Sequence, residues 1–391
     1  MTTDIYITGS GHTRFGRLEE SLEALIVEAA REAIEEAQIP PSEIDAVFLG
    51  HFNSGLVPDG FASSLILQAH PDLRFKPASR CENACASGAA AIHAGMNAIR
   101  AGRARNVLVV GAEKMTHRLT PDVTTALAGA GYQNDAAEAG LSFPQVFAVA
   151  ARQYAERYGD PMDTFARIAA KNHENAMKNP LAHMHKALPY EFCREVSERN
   201  PLIAPPLRLS DCSLVTDGAA AIVLSSGEAH AADASARVLM AAAEHVSDYL
   251  PMSRRDFVAF EGPERAIQMA YDAAGITVSD LDFAEVHDCF TPAELLIYEA
   301  MGLAPKGQGA RALSEGTVYA DGRTPVNLSG GLKAKGHPVG ATGVSMHALG
   351  FRQLTGRAGD IQRAGAEWGL AFNMGGAAVA NYATILKADR A

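Results

Sequence analysis

Two stretches of the chain follow the same pattern, and this apparent duplication restricts the possible fold more than any other feature of the sequence. "EEAQIPPSEIDAVFLGHF" (35–52) ends a helix, turns and enters an apolar strand, and "YDAAGITVSDLDFAEVHDCF" (271–290) follows the same course. At an offset of 237 positions, Asp45 corresponds to Asp282, and neighbouring apolar residues also correspond. We therefore expect a molecule built from two related halves.

The units that follow these stretches also correspond, in the same order. "CASGAAAIHAGMNAIRAG" (85–102) is a turn that opens a helix, and "HPVGATGVSMHALGFRQLTG" (337–356) is its counterpart, with Gly88 matching Gly340. A strand follows each of them. Any two helix–turn–strand units share such features, but three pairs in one order favour a true repeat.

Apolar strands alternate with helices along the chain. "AVFLG" (46–50), "NVLVVGAE" (106–113) and "AAAIVLSS" (219–226) are typical of buried strands, and residues 21–37 and 89–101 are Ala-rich helical stretches. This alternation predicts an α/β fold with a buried, largely parallel sheet.

Composition argues against several classes of protein. The 391 residues are 48% hydrophobic and carry a net charge of −11, which disfavours nucleic acid as the main partner. No apolar run approaches the ~20 residues that a membrane span needs. The five cysteines have no regular spacing, and the N-terminal residues lack the features of a signal peptide. We therefore expect a cytoplasmic protein with reduced thiols.

Residues 117–205 are richer in charge and histidine than the rest of the first half, which they interrupt. This composition predicts surface helices and loops, inserted over the mouth of that half. We accordingly divide the chain into an N-terminal half (1–116), this insertion (117–205), the remainder of the first half (206–236) and a C-terminal half (237–391).

Cys85 is the first candidate for a reactive side chain, because it lies where a strand is expected to end and a helix to begin. The dipole at a helix N-terminus favours the thiolate, and the free N–H groups there can receive an oxyanion. Cys81, four residues earlier, is expected to be a small buried side chain within the strand. The C-x3-C spacing without a second pair is a weak metal signature.

His337 lies at the matching turn of the second half, in the Gly-rich loop "GGLKAKGHPVGATG" (330–343). Such a loop usually indicates only tight turns, and a single histidine is more often structural than catalytic. If a pseudo-two-fold axis relates the halves, however, the two turns face each other and His337 approaches Cys85. A thiol beside an imidazole is an activated nucleophile.

Two further loops carry polar or flexible residues. His287, Asp288 and Cys289 follow the second copy of the repeated strand, at the sheet edge where ligands bind in open α/β folds. A solvated turn explains Asp288 better than it explains the other two. Gly375 and Gly376 can let a backbone N–H approach a substrate oxygen, or simply form a tight turn.

Four motifs resemble those of the thiolase superfamily, and within it the sterol-carrier-protein type. They are "NACASG" (83–88), "HDCF" (287–290), "GHPVGATG" (336–343) and "NMGG" (373–376), and the resemblance extends over nearly the whole chain. It implies two duplicated βαβαβαββ halves in a five-layer α-β-α-β-α arrangement, with an inserted loop domain that helps to hold coenzyme A. It also implies a homodimer or a homotetramer.

The resemblance assigns roles position by position. Cys85 would be the nucleophile that carries the acyl group. His337 would deprotonate it and donate a hydrogen bond to the thioester oxygen, and His287 would complete that oxyanion site. The N–H groups of Cys85 and Gly375 would form a second oxyanion hole.

One position departs from the family pattern. Most thiolases have a second reactive cysteine in the last loop, where this chain has Asn373. In the sterol-carrier-protein type the cysteine of the HDCF motif takes over as acid and base, which implies Cys289. A thiol suits this task because its pKa of ~8.5 can be lowered by neighbouring imidazole groups.

These roles imply reversible thiolysis of 3-oxoacyl-CoA through an acyl-Cys85 intermediate, in lipid metabolism such as fatty acid degradation. Acyl-CoA and coenzyme A would be substrates, and neither a resident cofactor nor a metal is expected. The coenzyme A phosphates would need cations. Four candidates lie in the insertion, although a solvated helix face explains them equally well: Arg152, Arg157, Lys171 and Lys178.

Two alternatives remain. A thiolase-like retro-aldol lyase acting on side-chain CoA thioesters would need an OB-fold partner chain. It would have lost the nucleophilic cysteine and would carry tyrosines in the active site. Cys85 and Cys289 argue against it. A catalytically degenerate scaffold or lipid carrier is the other alternative, and four intact catalytic loops argue against it. The acyl group, the direction of the reaction and the choice between dimer and tetramer stay open.

Overall fold

The computed structural model describes residues 3–227 and 236–389, and this part of the chain contains eleven strands. Their bounds are β1 Ile5–His12, β2 Ala46–Gly50, β3 Ala78–Cys81, β4 Asn106–Glu113, β5 Leu202–Ala204, β6 Leu207–Arg208, β7 Gly218–Ser226, β8 Val238–Ser247, β9 Phe283–Val286, β10 Trp368–Gly375 and β11 Ala380–Ala388. Nine of them form one sheet in the order β3-β2-β4-β7-β1-β8-β11-β10-β9, and β5 pairs with β6 alone.

Ten α-helices accompany these strands in the described residues. They are α1 Leu22–Ala37, α2 Ser87–Arg100, α3 Thr120–Ala128, α4 Phe143–Tyr158, α5 Met162–Ala176, α6 Tyr190–Arg194, α7 Glu261–Ala274, α8 Thr291–Ala300, α9 Ala310–Ser314 and α10 Thr342–Leu354. None of the helices in the described ranges combines the length and apolar character that crossing a bilayer requires.

The predicted repeat is present in the sheet. In the first half, β1 pairs antiparallel with β7, β7 antiparallel with β4, and β4 parallel with β2. In the second half, β8, β11, β10 and β9 repeat this series with the same directions. A short pairing of β1 with β8 joins the halves. The sheet is therefore mixed, and the prediction of a largely parallel sheet is wrong, because β7 and β11 each run antiparallel to both of their neighbours.

The two aspartates matched in the sequence have the same structural role. Asp45 accepts hydrogen bonds from the N–H groups that open β4, the nearer at 2.6 Å. Asp282 accepts the equivalent pair at the start of β10, at 2.7 and 3.0 Å. Each carboxylate anchors the first residues of the strand beside it, so the two halves correspond at the level of single side chains.

The helices and strands form the expected α-β-α-β-α layers. Ser21 caps α1 by accepting from the N–H of Ala24 at 3.1 Å, and Leu22, Leu25 and Ile26 pack its apolar face on the first-half strands. The core between the halves contains α2 and α10. A third core joins α7 and α8 to helices of the insertion.

The N-termini of α2 and α10 lie in close contact at the centre of the molecule. A Cβ atom on Gly88 would lie 2.8 Å from the carbonyl oxygen of Gly340, so only glycine permits this approach. The residues that precede the two helices are thereby brought together. This close contact confirms the expectation that the equivalent turns face each other.

The insertion lies between β4 and β7, but the prediction that it consists of surface helices is wrong for α5. Phe165, Ile168 and Ala169 on this helix are fully buried. The helix packs against α8 and the loop before α10. Polar residues along its sequence concealed this burial, because Lys171, Asn172 and Asn175 form internal hydrogen bonds instead of facing water. The exact domain boundaries stay a prediction.

Candidate active site

Cys85 occupies a tight turn between β3 and α2. Ala84 adopts a left-handed backbone conformation with φ 51°, which is uncommon for a residue with a Cβ atom. Ser87 holds the turn, because its Oγ accepts from the N–H of Asn83 at 2.9 Å and donates to the carbonyl of Ala84 at 2.6 Å. A constrained backbone of this kind presents the Cys85 thiol in one direction.

His337 and His287 converge on this thiol from the second half. The sulfur of Cys85 and one ring nitrogen of each histidine lie within 4.8 Å of one another. The two imidazole rings are 5.1 Å apart between centroids and nearly perpendicular. The structure thus brings together three of the four residues to which the sequence assigned catalysis.

The hydrogen bonds of Thr342 determine which nitrogen of His337 carries a proton. The hydroxyl of Thr342 donates to the carbonyl of Pro338 at 3.1 Å, and its oxygen lies 2.7 Å from His337 Nδ1. Because the hydroxyl has one hydrogen, it must accept from Nδ1–H. Nε2 of His337 is then the unprotonated nitrogen, as a general base requires.

The charge state of Cys85 differs from the prediction. Burial raises the pKa of the Cys85 thiol to about 12, although the backbone N–H of Gly376 opposes this change; the nearby Glu113 carboxylate adds to it. Burial also lowers the pKa of His337 to about 3. Burial therefore opposes the thiolate that the helix N-terminus was expected to favour, because both pKa shifts favour the neutral thiol and the neutral imidazole.

Gly376 is a feature that the sequence left undecided. Its backbone N–H lowers the pKa of the Cys85 thiol, and it lies one residue beyond the Gly375 that was assigned to the second oxyanion hole. Gly376 has φ 61°, and a Cβ there would lie 3.0 Å from the carbonyl oxygen of Ala130. The role of Gly375 stays a prediction.

Cys289 is a buried thiol outside that group of three, but near enough to Cys85 for the two to interact electrostatically. Burial raises its pKa well above the ordinary value, and the neighbouring Cys85 and Asp288 add to the shift. The expected lowering of this pKa is wrong. A neutral thiol is nevertheless the form that can donate a proton to a carbanion.

Asp288 is not the solvated turn that its position suggested. It is completely buried, and it accepts from the N–H groups of Leu332 at 2.7 Å and Lys333 at 3.2 Å. Burial, then the nearby Glu294, raise its pKa to about 7. Asp288 therefore ties the loop that contains Cys289 to the loop that leads to His337.

Glu113 is a structural residue of the site that the sequence analysis missed. Its buried carboxylate accepts from the N–H of Phe52 at 3.0 Å and the N–H of Gly340 at 3.1 Å. It therefore links the loop after β2 to the loop that contains His337. The available signal was an acidic residue at the carboxyl end of the strand "NVLVVGAE" (106–113).

Lys171 is wrong as a candidate for coenzyme A binding. Its side chain is 1% exposed and forms an ion pair with Glu294 at 2.9 Å. It also donates to the carbonyl of Val326 at 2.7 Å. An ammonium group committed to these partners cannot reach a phosphate in solvent, and breaking a buried pair is costly.

The other three cations of that set lie on the surface of the insertion. Arg152 donates to the carbonyl of Pro205 at 2.7 Å, and Arg157 pairs with Asp256 at 2.7 Å. Lys178 is exposed two residues beyond the end of α5. A role for them in phosphate binding stays a prediction.

A cavity of about 220 Å³ adjoins the loop that contains Cys289. Ser213 lines it and donates its N–H to the carbonyl of Cys289 at 2.9 Å. Its lining also includes the buried Lys333 and the exposed Lys186 and Arg199. The sequence analysis did not single out these cations, because no spacing pattern marks residues that meet only in the folded chain.

An apolar cluster packs against Cys85 on another side. Its buried members are Phe52, Leu56, Met115, Val123 and Val339. Val123 is contributed by α3, whose opposite face is exposed. A substrate group bonded to the sulfur would therefore contact an apolar wall that includes part of the insertion.

Two family domains match the chain. The thiolase N-terminal domain matches residues 5–228, and the thiolase C-terminal domain-like family matches residues 243–388. The chain is 38% identical over 376 residues to an acetyl-CoA acetyltransferase of Methanothermobacter thermautotrophicus, which covers 95% of this chain and 96% of that protein. It is 32% identical over 397 residues to human sterol carrier protein 2, covering 95% of this chain and 70% of that protein.

Solved structures share the fold over almost the full length. An Ltp2–ChsH2(DUF35) aldolase superposes with a TM-score of 0.83 at 24% identity, covering 99% of this chain and 98% of that chain. Human mitochondrial 3-ketoacyl-CoA thiolase superposes with a TM-score of 0.75 at 18% identity, covering 99% of both chains. At these identities the likeness concerns architecture.

Proposed function

Because the chain belongs to the thiolase family, we propose that it cleaves 3-oxoacyl-CoA with coenzyme A through an acyl group held on Cys85. The observation that supports this most is the convergence of Cys85, His287 and His337 within 4.8 Å. A nucleophile, a base with a free lone pair and a second imidazole are the groups that acyl transfer requires.

The neutral pair determines the order of proton transfers in this proposal. As the Cys85 sulfur bonds to the 3-oxo carbon, its proton moves to Nε2 of His337. The bond between C2 and C3 then breaks, and Cys289 protonates the acetyl-CoA carbanion. In the second half-reaction, the coenzyme A thiol gives its proton to the Cys289 thiolate as its sulfur attacks the acyl-Cys85 thioester. The shortened acyl-CoA is released, and the departing Cys85 sulfur takes back the proton held on Nε2 of His337. The same steps in reverse are a Claisen condensation.

We place the coenzyme A in the cavity beside the Cys289 loop. Ser213 and Cys289 are joined by a hydrogen bond, so a thioester that enters past Ser213 arrives near the reacting groups. Lys186 and Arg199 are exposed and line the cavity, where they can meet phosphates. Exposed cations attract such anions without the cost of burying a charge.

Charge removal at this cavity should weaken coenzyme A binding. In Lys186→Ala and Arg199→Ala we expect KM for coenzyme A to rise roughly tenfold, equivalent to about 1.4 kcal/mol, with kcat nearly unchanged. Steady-state kinetics of each variant measure this. Arg157→Ala is the matched control, because that guanidinium pairs with Asp256 away from this cavity. A larger effect in the control would place the phosphates on α4 instead.

The apolar cluster beside Cys85 favours a short acyl group. Phe52, Leu56 and Met115 are buried in the cluster that packs against Cys85. An acetyl group requires little additional room, whereas a long chain would require α3 to move. Acetoacetyl-CoA is therefore the substrate we propose for a first test, in agreement with the name of the acetyl-CoA acetyltransferase relatives.

Mass spectrometry of the trapped intermediate tests the proposal. Incubation with acetoacetyl-CoA, followed by an acid quench and digestion, should give an acetyl group on the peptide that contains Cys85. Added coenzyme A should remove it. A retro-aldol lyase or a degenerate scaffold would leave this peptide unmodified, and an acetyl group found only on Cys289 would reverse the two thiol roles.

We also propose that two copies of the chain assemble through β3. This strand is the edge of the sheet, and Ser79 and Arg80 in it are exposed. Unpaired strand edges readily pair with a second copy. A partner chain, the choice between dimer and tetramer, the cytoplasmic location and the role in fatty acid degradation stay predictions.

A further inference from the structure

Asn373 lies next to the three converging side chains, near the end of β10. Its side-chain nitrogen donates to the backbone carbonyl of Cys85 at 3.1 Å and lies 2.9 Å from His287 Nδ1. Asn373 is 1% exposed, and His287 is fully buried. The residue that replaces the second reactive cysteine therefore contacts both the nucleophile and an imidazole.

The direction of these hydrogen bonds follows from the carbonyl. A backbone carbonyl can only accept, so the NH2 group of Asn373 must face Cys85. The same NH2 group then donates its second hydrogen to His287 Nδ1. A nitrogen that accepts a hydrogen bond has no proton of its own, so the proton of neutral His287 is on Nε2. Burial, followed by the neighbouring His337, lowers the pKa of His287 well below its ordinary value, consistent with a neutral ring.

The Nε2–H of His287 has no partner within the described ranges. This atom is completely buried, and an unpaired buried donor is costly unless a ligand completes it. The site thus combines one imidazole that offers a lone pair, His337, with one that offers an N–H, His287. A metal ion would need lone pairs from both rings, whereas a developing oxyanion needs the N–H.

We infer that Asn373 is a positioning residue, which holds His287 in the Nε2–H tautomer so that the ring donates to the thioester oxygen as enolate charge develops. The Cys85 carbonyl orients Asn373, and Asn373 in turn fixes the imidazole. This assignment rests on the proposed thiolysis for the identity of the oxyanion. The tautomer itself is a property of the free protein.

The test combines kinetics with the tautomer of His287. Asn373→Leu keeps the approximate volume and removes the donor, so both tautomers of His287 become accessible. Loss of one oxyanion donor costs roughly 10²–10³-fold in kcat, and partial loss through a mixed tautomer should cost roughly tenfold to hundredfold. KM should change little. Nitrogen-15 NMR of histidine-labelled protein should show Nε2–H alone in the unmodified chain and a mixture in the variant, with His287→Asn providing the assignment.

A second substitution and a control make the test independent of folding. Asn373→Asp offers a carboxylate, which accepts from Nδ1–H, and should reverse the tautomer in the NMR spectrum. The control is Asn106→Leu at the start of β4. Asn106 is also buried, and its side-chain amide donates one hydrogen bond to the backbone carbonyl of Glu43, so its replacement should change neither kcat nor the His287 signal.

Several outcomes would overturn the assignment. One is an Nδ1–H signal of His287 in the NMR spectrum of the unmodified protein. Another is an unchanged Nε2–H signal of His287 in Asn373→Leu together with a reduced kcat, because Asn373 would then have only a packing role. If the unmodified protein turns over no 3-oxoacyl-CoA, the proposed function fails, while the spectrum still decides the tautomer.

Discussion

Replacement of Cys85 by alanine should reduce thiolysis of acetoacetyl-CoA by on the order of 10⁵-fold, the largest effect we expect from a single change. The thiol forms the covalent bond that divides the reaction into two half-reactions, and no other group at the turn can replace it. Turnover is measured from the loss of acetoacetyl-CoA absorbance. Coenzyme A binding should persist, since the cavity beside the Cys289 loop is unaltered.

Cys81→Ala is the matched control for this change. Cys81 ends β3, is half-buried like Cys85, and also has a pKa raised by burial. It lies outside the converging group, so activity should stay close to that of the unmodified protein. If Cys85→Ala retained substantial turnover and Cys289→Ala did not, the nucleophile would be Cys289.

Replacement of His337 by asparagine should lower kcat by roughly 10³- to 10⁴-fold, with a smaller change in KM. Asparagine keeps an N–H donor but has no basic nitrogen, so nothing accepts the proton of Cys85. Acylation must then begin from the small fraction of thiolate in equilibrium with solvent. Because the pKa of this thiol is raised to about 12, that fraction increases about tenfold for each unit of pH below it.

The pH dependence therefore separates the loss of a base from a loss of structure. We expect the acylation rate of His337→Asn to rise steeply with pH, whereas the unmodified protein should vary little, since its thiol and imidazole are neutral together. Single-turnover measurements of Cys85 acetylation provide the rates. A flat, uniformly low profile in the variant would contradict a role for His337 as base.

His347→Asn serves as the control for this second prediction. His347 is buried on α10, hydrogen-bonded through Nδ1 to the carbonyl of Gly343 at 2.7 Å, and burial lowers its pKa to about 4. It shares with His337 the burial and the neutral ring, but does not belong to the converging group. The variant should retain the pH profile of the unmodified protein.

The identity of the reacting side chains could be predicted because it follows from symmetry. Two copies of one supersecondary unit place equivalent turns on a common axis, so Cys85 and His337 could be paired before any coordinates were known. Gly88 and Gly343 give the physical reason. A Cβ on Gly88 would lie 2.8 Å from the carbonyl oxygen of Gly340, and a Cβ on Gly343 would lie 2.5 Å from the backbone nitrogen of Ala89, so only glycine lets the two helix N-termini approach so closely.

Charge states could not be predicted in the same way. The helix dipole and the neighbouring imidazoles favour a thiolate, but the apolar surroundings of Cys85 outweigh them and raise its pKa. Lys171 shows the same limit. Its charge indicated a solvent-facing helix, whereas its partner Glu294 is 123 positions away in the chain and meets it only in the core.

The sequence by itself therefore determined the architecture and the set of candidate reacting residues, because strand and helix periodicity, the duplication and four short motifs are local or repeating properties of the chain. Only the tertiary structure decided which pKa values burial shifts, which nitrogen of each histidine bears a proton and which cations line the cavity beside the Cys289 loop. Those properties depend on burial and on hydrogen bonds between residues distant in sequence, such as Asn373, His287 and the carbonyl of Cys85.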